Sequence, residues 1–247
     1  MREKKILFVD YGGLGDHLQF STLPEAFDKQ GFDTYISDKS LFRSKETYDL
    51  VWGNNPFVKG YSNEAPNCGH INSYIQPAPG ESMNRNWEII FGADNNSNYP
   101  IIYKEPNTLD EYKGSLVIDL NGFSQPNIYN FSIIKERIDE IISQNEFSNI
   151  YFIIPNGINY SKSTNIINIE NSINISISNI FEYCDIINSC SRFISIWSGG
   201  SHLSSAIKNK FNKELITNCF CDNTNKSFYW YDNVDYIQGA MTGGLYR

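Results

Sequence analysis

Apolar positions in this chain follow two alternating patterns. Short unbroken runs read as strands covered on both faces, and residues spaced three and four apart read as amphipathic helices. Ile6–Val9 is the first run. A helix is predicted from about residue 16 to 30, with Leu18, Leu23, Ala26 and Phe27 on one face and Gly31 as its stop. Pro24 inside it predicts a kink or a later start. Thr34–Ser37 reads as a second strand and Leu50–Trp52 as a third, before the turn Gly53-Asn54-Asn55-Pro56. From Tyr61 to about Ser97, Asn, Ser, Pro and Gly dominate, which predicts a long loop over a cleft. Residues 100–114 read as a linker.

A second series of the same kind follows. Ser115–Leu120 is a strand, and Ser132 caps a helix to about Gln144 whose apolar face is Ile133, Ile134, Ile138, Ile141 and Ile142. Strands are predicted at Ile150–Ile154 and Ile166–Ile169, a helix at 178–190 with Ser178 as its cap, and a strand at Phe193–Ile196. A helix over about Ser201–Lys208 and a strand at Lys213–Thr217 complete the series. Alternating strands and helices imply parallel sheets joined by crossovers. The predicted fold class is α/β, two Rossmann-like domains with parallel sheets facing across a cleft. Domain one is residues 1–112 and domain two residues 113–225, with an aromatic tail, 226–247, packing back on the first.

Two glycine turns stand out. Ile6–Val9 leads into Gly12-Gly13-Leu14-Gly15-Asp16-His17, and Phe193–Ile196 into Trp197-Ser198-Gly199-Gly200-Ser201-His202. Each reads as strand, glycine turn, helix start, a geometry whose free backbone N–H groups and helix dipole favour an anion. Two of the three histidines fall in these turns.

The net charge of −8 argues against a nucleic-acid partner, which needs a basic face. It leaves room for a nucleotide, because a backbone nest holds a pyrophosphate without a lysine. No apolar run reaches the roughly 18–20 residues that span a bilayer, and the basic start Met1–Lys5 lacks the apolar stretch of a signal peptide, so a cytoplasmic protein is expected. The five cysteines are expected as free thiols, and Cys219-Phe220-Cys221 lacks zinc-site spacing, so no metal is expected.

The two turns, in this order, resemble the glycosyltransferase family that includes the bacterial heptosyltransferases of lipopolysaccharide cores. Gly15-Asp16-His17 followed by Leu23-Pro24 is similar to that family's first signature. Trp197-Ser198-Gly199-Gly200-Ser201-His202-Leu203 is similar to its second, and Tyr183-Cys184-Asp185 stands where the preceding helix ends. Trp197 replaces the usual acidic residue, the turn Asn121–Gln125 is neutral where the family places a base, and the chain is shorter than the family's members.

The resemblance implies the GT-B architecture and a nucleotide-sugar donor taken as substrate, with no cofactor. It implies an inverting, metal-independent transfer to a hydroxyl of a bacterial surface glycan, lipooligosaccharide or capsule, with peripheral contact at the inner face of the membrane. Asp16 is implied as general base in an acceptor-side turn that includes Gly13 and Gly15. The alternative is a helix cap, and the helix N-terminus is expected to lower its pKa. His17 assists it or binds an acceptor anion, or is simply a neighbouring histidine. Ser198, Gly199, Gly200, Ser201 and His202 hold the donor diphosphate, or form a tight capped turn. Asn156, Gly157 and Trp197 are nucleoside-side candidates, Trp197 otherwise a core residue at a strand end. Two other readings share the architecture: a non-catalytic binder of a nucleotide sugar or partner protein, and a sugar-nucleotide epimerase or hydrolase. Oligomeric state has no signature in the sequence.

Overall fold

The computed structural model describes residues 2–71, 81–93, 95–122, 129–154, 167–221 and 230–240. β1 (Lys4–Phe8) carries Ile6 and Leu7 buried on its two faces, as in a parallel strand covered by helices. α1 (Leu14–Leu18) and α2 (Leu23–Lys29) share the segment predicted as one helix. Pro24 sits in the first turn of α2, where a missing N–H costs nothing. Gly31, at φ +88°, ends α2 in the left-handed region.

β2 (Asp33–Ser37) leads to α3 (Lys45–Tyr48) and one π-helical turn, Asp49–Gly53. That turn corrects the strand expected at Leu50–Trp52. The three side chains are buried as predicted, but a short apolar run does not distinguish strand from buried helix. β3 (Val58–Ser62), β4 (Cys68–Gly69) and α4 (Met83–Ile90) occupy much of the stretch expected as loop. α4 escaped the hydrophobic pattern because it buries Asn84, Asn86 and Glu88 beside Met83 and Trp87.

After the linker come β5 (Leu116–Asp119), α5 (Phe131–Ser143), β6 (Ile150–Ile154), β7 (Ile173–Ser176) and α6 (Ile180–Ser189). β8 (Arg192–Ile196), α7 (Gly199–Lys210), β9 (Ile216–Phe220) and β10 (Asp235–Ile237) complete the chain. Asn130 and Asn179 cap α5 and α6, each accepting two backbone amides, in place of the expected Ser132 and Ser178. Ile167 and Ile169 are buried but irregular, so the strand expected there lies later, at β7.

The first sheet has the order β3-β2-β1-β4 and the second β10-β9-β8-β5-β6-β7. Every pairing is parallel, which puts the β1 and β8 turns at carboxyl edges, where open α/β sheets bind ligands. The tail expectation is corrected. Residues 230–240 extend the second sheet through β10, and Asn233 ties them to Ser205 and Thr217, while residues 226–229 and 241–247 lie outside the described residues.

The halves touch directly. One apolar cluster runs from Leu7, Val9 and Leu18 to Val117, Phe193 and Leu203. A Glu46 carboxylate oxygen accepts the Ile180 N–H at the start of α6 from across the boundary, at 3.2 Å. Asp185 in turn accepts the Asn107 N–H at 2.8 Å, fastening the linker to α6.

Candidate active site at the two glycine turns

The two motifs meet through α1 and α7. A side chain on Gly15 would stand 3.0 Å from the His202 ring, and one on Gly199 would stand 3.0 Å from Leu14 Cβ. Glycine at both positions lets the helix starts approach each other. The sequence-predicted turns are thus brought together, one from each sheet.

Asp16 lies three residues after Gly13, and its Oδ2 accepts the Gly13 N–H at 3.1 Å. A side chain on Gly13 would stand 2.6 Å from that oxygen, so the glycine makes room for the carboxylate. The cap expected of Asp16 is therefore present in its geometry. The expected lowering of its pKa is corrected, because burial raises it and outweighs the Gly13 N–H and the charge of Arg43. A raised pKa makes Asp16 a better proton acceptor than a fully hydrated carboxylate.

His17 is fully buried, with its ring stacked on Phe42 at 4.4 Å. Its Nδ1 accepts the Trp52 indole N–H at 2.9 Å, so the proton sits on Nε2 and is donated to the Leu41 carbonyl at 2.8 Å. Burial pushes its pKa down to about 4. The expectation that His17 assists the base or binds an anion is corrected: both nitrogens are used to hold α1 against the segment after β2.

At the second turn, Ser198 caps α7. Its Oγ accepts the Gly200 N–H at 3.3 Å, and the Ser201 hydroxyl donates to the Ser198 carbonyl at 2.8 Å. A side chain on buried Gly200 would overlap the Tyr183 hydroxyl. Gly200 and Ser201 are thus committed to packing and capping. The Gly199 N–H, at the first position of α7, is one of the helix-start amides that no intrahelical bond satisfies. His202 is buried, its Nδ1 is 2.8 Å from the Tyr231 hydroxyl, and burial pushes its pKa down to about 4. A neutral, enclosed ring corrects the expectation that His202 meets the diphosphate directly.

Trp197 is partly buried and packs against the cluster of Cys219, Tyr231 and Val234. Asn156 and Gly157 lie outside the described residues.

Sequence reasoning missed Asp119. It is buried at the carboxyl end of β5, and its carboxylate accepts the Tyr183 hydroxyl and, at 2.9 and 2.7 Å, the Asn121 backbone and side-chain N–H groups. Burial raises its pKa against those three donors. The cluster props Tyr183 against Gly200, beneath the start of α7. A carboxylate closing an apolar strand at its carboxyl edge was the available signal.

No family model and no curated protein matches the sequence. Solved structures are similar. The iron-containing dodecameric glycosyltransferase TibC of enterotoxigenic E. coli H10407 aligns over 99% of this chain and 64% of its own, at 16% identity and a TM-score of 0.65. The glycosyl transferase family 9 structure from Veillonella parvula DSM 2008 aligns over 96% of this chain and 85% of its own, at 10% identity and a TM-score of 0.63. The E. coli ADP-heptose lipopolysaccharide heptosyltransferase II aligns over 94% of this chain and 90% of its own, at 9% identity and a TM-score of 0.59. The fold is GT-B-like. It is the fold of heptosyltransferases, as the two turns led one to expect, and this chain spans less than two thirds of TibC's length. TibC is also solved in complex with ADP-D-β-D-heptose.

TibC is iron-containing. Among the described residues no three His, Cys, Asp or Glu side chains come together to hold one. All five cysteines are buried, and His17 and His202 are engaged separately. These residues do not fit an iron site. Among the described residues, no helix is long and apolar enough to cross a membrane.

Proposed function

We propose that this protein is an inverting glycosyltransferase that moves a sugar from a nucleoside-diphosphate donor to a hydroxyl of a bacterial surface glycan, without a metal. The observation that carries the reading is the meeting of the two turns within a GT-B-like fold. The residue next to Gly15 is a half-buried carboxylate with a raised pKa, and Gly15 itself packs against Gly199 and His202 at the N-terminus of α7.

In the step proposed, the Asp16 carboxylate takes the proton of the acceptor hydroxyl as that oxygen attacks the anomeric carbon. The bond from that carbon to the diphosphate oxygen breaks on the opposite face, and its electron pair leaves with the diphosphate. The dipole of α7 and the Gly199 N–H favour the departing charge. The ADP-heptose bound by TibC makes an ADP-sugar the first donor to try. Membrane contact at the inner face and a capsule or lipooligosaccharide product belong to the same proposal. The test is Asp16→Asn, which should lower turnover at least about a hundredfold with donor affinity unchanged. An Asp16→Asn enzyme of near-normal rate would remove Asp16 as base.

A second reading, a non-catalytic binder, has one observation in its favour. The serines of the second turn satisfy each other, and Gly200 is closed off by Tyr183. Donor binding with no turnover by the wild-type chain would favour it.

A further inference from the structure

The carboxyl edge of the first sheet carries a hydrogen-bonding conflict close to Asp16. His70 follows β4, placed there by Gly69, whose φ is +89° and where any side chain would overlap the Phe8 carbonyl oxygen. The His70 Nδ1 accepts the Asp10 backbone N–H at 3.0 Å. A backbone N–H only donates, so Nδ1 keeps its lone pair and the neutral ring carries its proton on Nε2. Burial lowers the pKa of His70, which keeps the ring neutral at pH 7.

The Nε2–H faces the Gln19 amide nitrogen at 3.4 Å. Gln19 cannot turn round to offer its oxygen. Its Oε1 accepts the Trp87 indole N–H at 3.0 Å, a group that only donates. Its Nε2 donates to the Asp16 carbonyl at 3.0 Å, a group that only accepts. Two N–H groups therefore meet with no acceptor between them among the described residues, and moving the ring proton to Nδ1 would only transfer the conflict to Asp10. Among the described residues no oxygen completes the pair, and an oxygen is the partner it calls for.

We propose that the His70 Nε2–H and the Gln19 amide, which is bonded to the Asp16 backbone carbonyl, form a two-donor slot for a hydroxyl oxygen of the sugar acceptor. This rests on the glycosyltransferase reading. The surroundings favour a neutral sugar over a phosphate or carboxylate. The Asp10 carboxylate acts electrostatically on His70 itself and disfavours a second negative charge there. Tyr11, 60% exposed, stands edge-on to His70 at 5.4 Å and offers an apolar ring beside the donors. A slot that bonds a hydroxyl also discriminates against acceptors lacking it, because its donors are then left unpaired.

The test uses the full chain labelled with ¹⁵N. Long-range histidine ring spectra report the tautomer, and a panel of methyl pyranosides (gluco, galacto, manno and heptose forms) is titrated in. The expected result is a proton on Nε2 of His70 and a saturable shift of its ring nitrogens with at least one glycoside. His70→Phe keeps the ring packing on Phe20 and Trp87. It should weaken that glycoside at least about tenfold, the worth of one good hydrogen bond, with nucleoside-diphosphate binding unchanged. Gln19→Glu supplies the missing oxygen from within the chain and should abolish the glycoside response. A proton on Nδ1, no response to any glycoside, or equal affinity in His70→Phe overturns the proposal. Nucleoside-diphosphate binding in the same samples separates the two readings. Diphosphate binding without a glycoside response sinks the slot alone, and a glycoside response without diphosphate binding sinks the transferase.

Discussion

Acid should destabilise this protein through two histidines that the resemblance placed in the active site. His17 and His202 are buried, and each is pushed down from 6.5 to about 4. With the folded pKa below the unfolded one, the unfolded chain takes up protons first as pH falls. The stability these rings contribute is whole above about pH 6.5 and drains away down to about pH 4. At about pH 5 each has lost about 2 kcal/mol, and the complete shift is worth about 3 kcal/mol per ring. Asp16 and Asp119 act with the opposite sign, because raised carboxyl pKa values make the folded state the better proton binder as pH falls. A difference measurement removes them. Unfolding free energies from urea titrations at about pH 7.5 and about pH 5 should change by about 2 kcal/mol less in His17→Gln than in the wild type. Ring proton NMR should show neither histidine titrating until well below its ordinary value. An unchanged pH dependence in His17→Gln, or a wild-type ring titrating near 6.5, would refute the claim that these rings are sealed structural groups.

Two further substitutions probe the second turn. Gly200→Ala drives a methyl into the Tyr183 hydroxyl and loosens its bond to buried Asp119, at a cost of about 2 kcal/mol, and thermal denaturation should fall by about 4–8 °C. Ser198→Ala removes the cap on the Gly200 N–H and should cost about 1 kcal/mol in urea denaturation, with no cost expected if the hydroxyl serves only a ligand.

The fold was legible where hydrophobic spacing does the work. β1, β2, β5, β6 and β8 are apolar runs between breakers, and all were found within a residue or two. Leu50–Trp52 misled because three consecutive buried apolar residues fit a helical turn as well as a strand. α4 was hidden by its buried Asn84, Asn86 and Glu88, whose burial depends on partners elsewhere in the chain, such as the Leu18 carbonyl that Asn84 meets at 3.0 Å. β10 was unreadable because its place beside β9 is a tertiary choice.

The candidate site was legible as two turns but not as a division of labour. Spacing marked Gly15, Asp16, Gly199 and Gly200. It said nothing of Trp52 and Leu41 taking both nitrogens of His17, or of Tyr231 taking one of His202. Asp119 and Tyr183, 64 residues apart, form a bonded pair that no local pattern encodes.

The central claim is that the start of α7 receives a nucleoside diphosphate beside Asp16. Calorimetric titration of the full chain with ADP, GDP, UDP and CDP tests it most directly. The account predicts saturable one-site binding of one of them, with ADP the first expected, and the same affinity in Asp16→Asn. Failure of all four to bind the folded wild-type chain would contradict it.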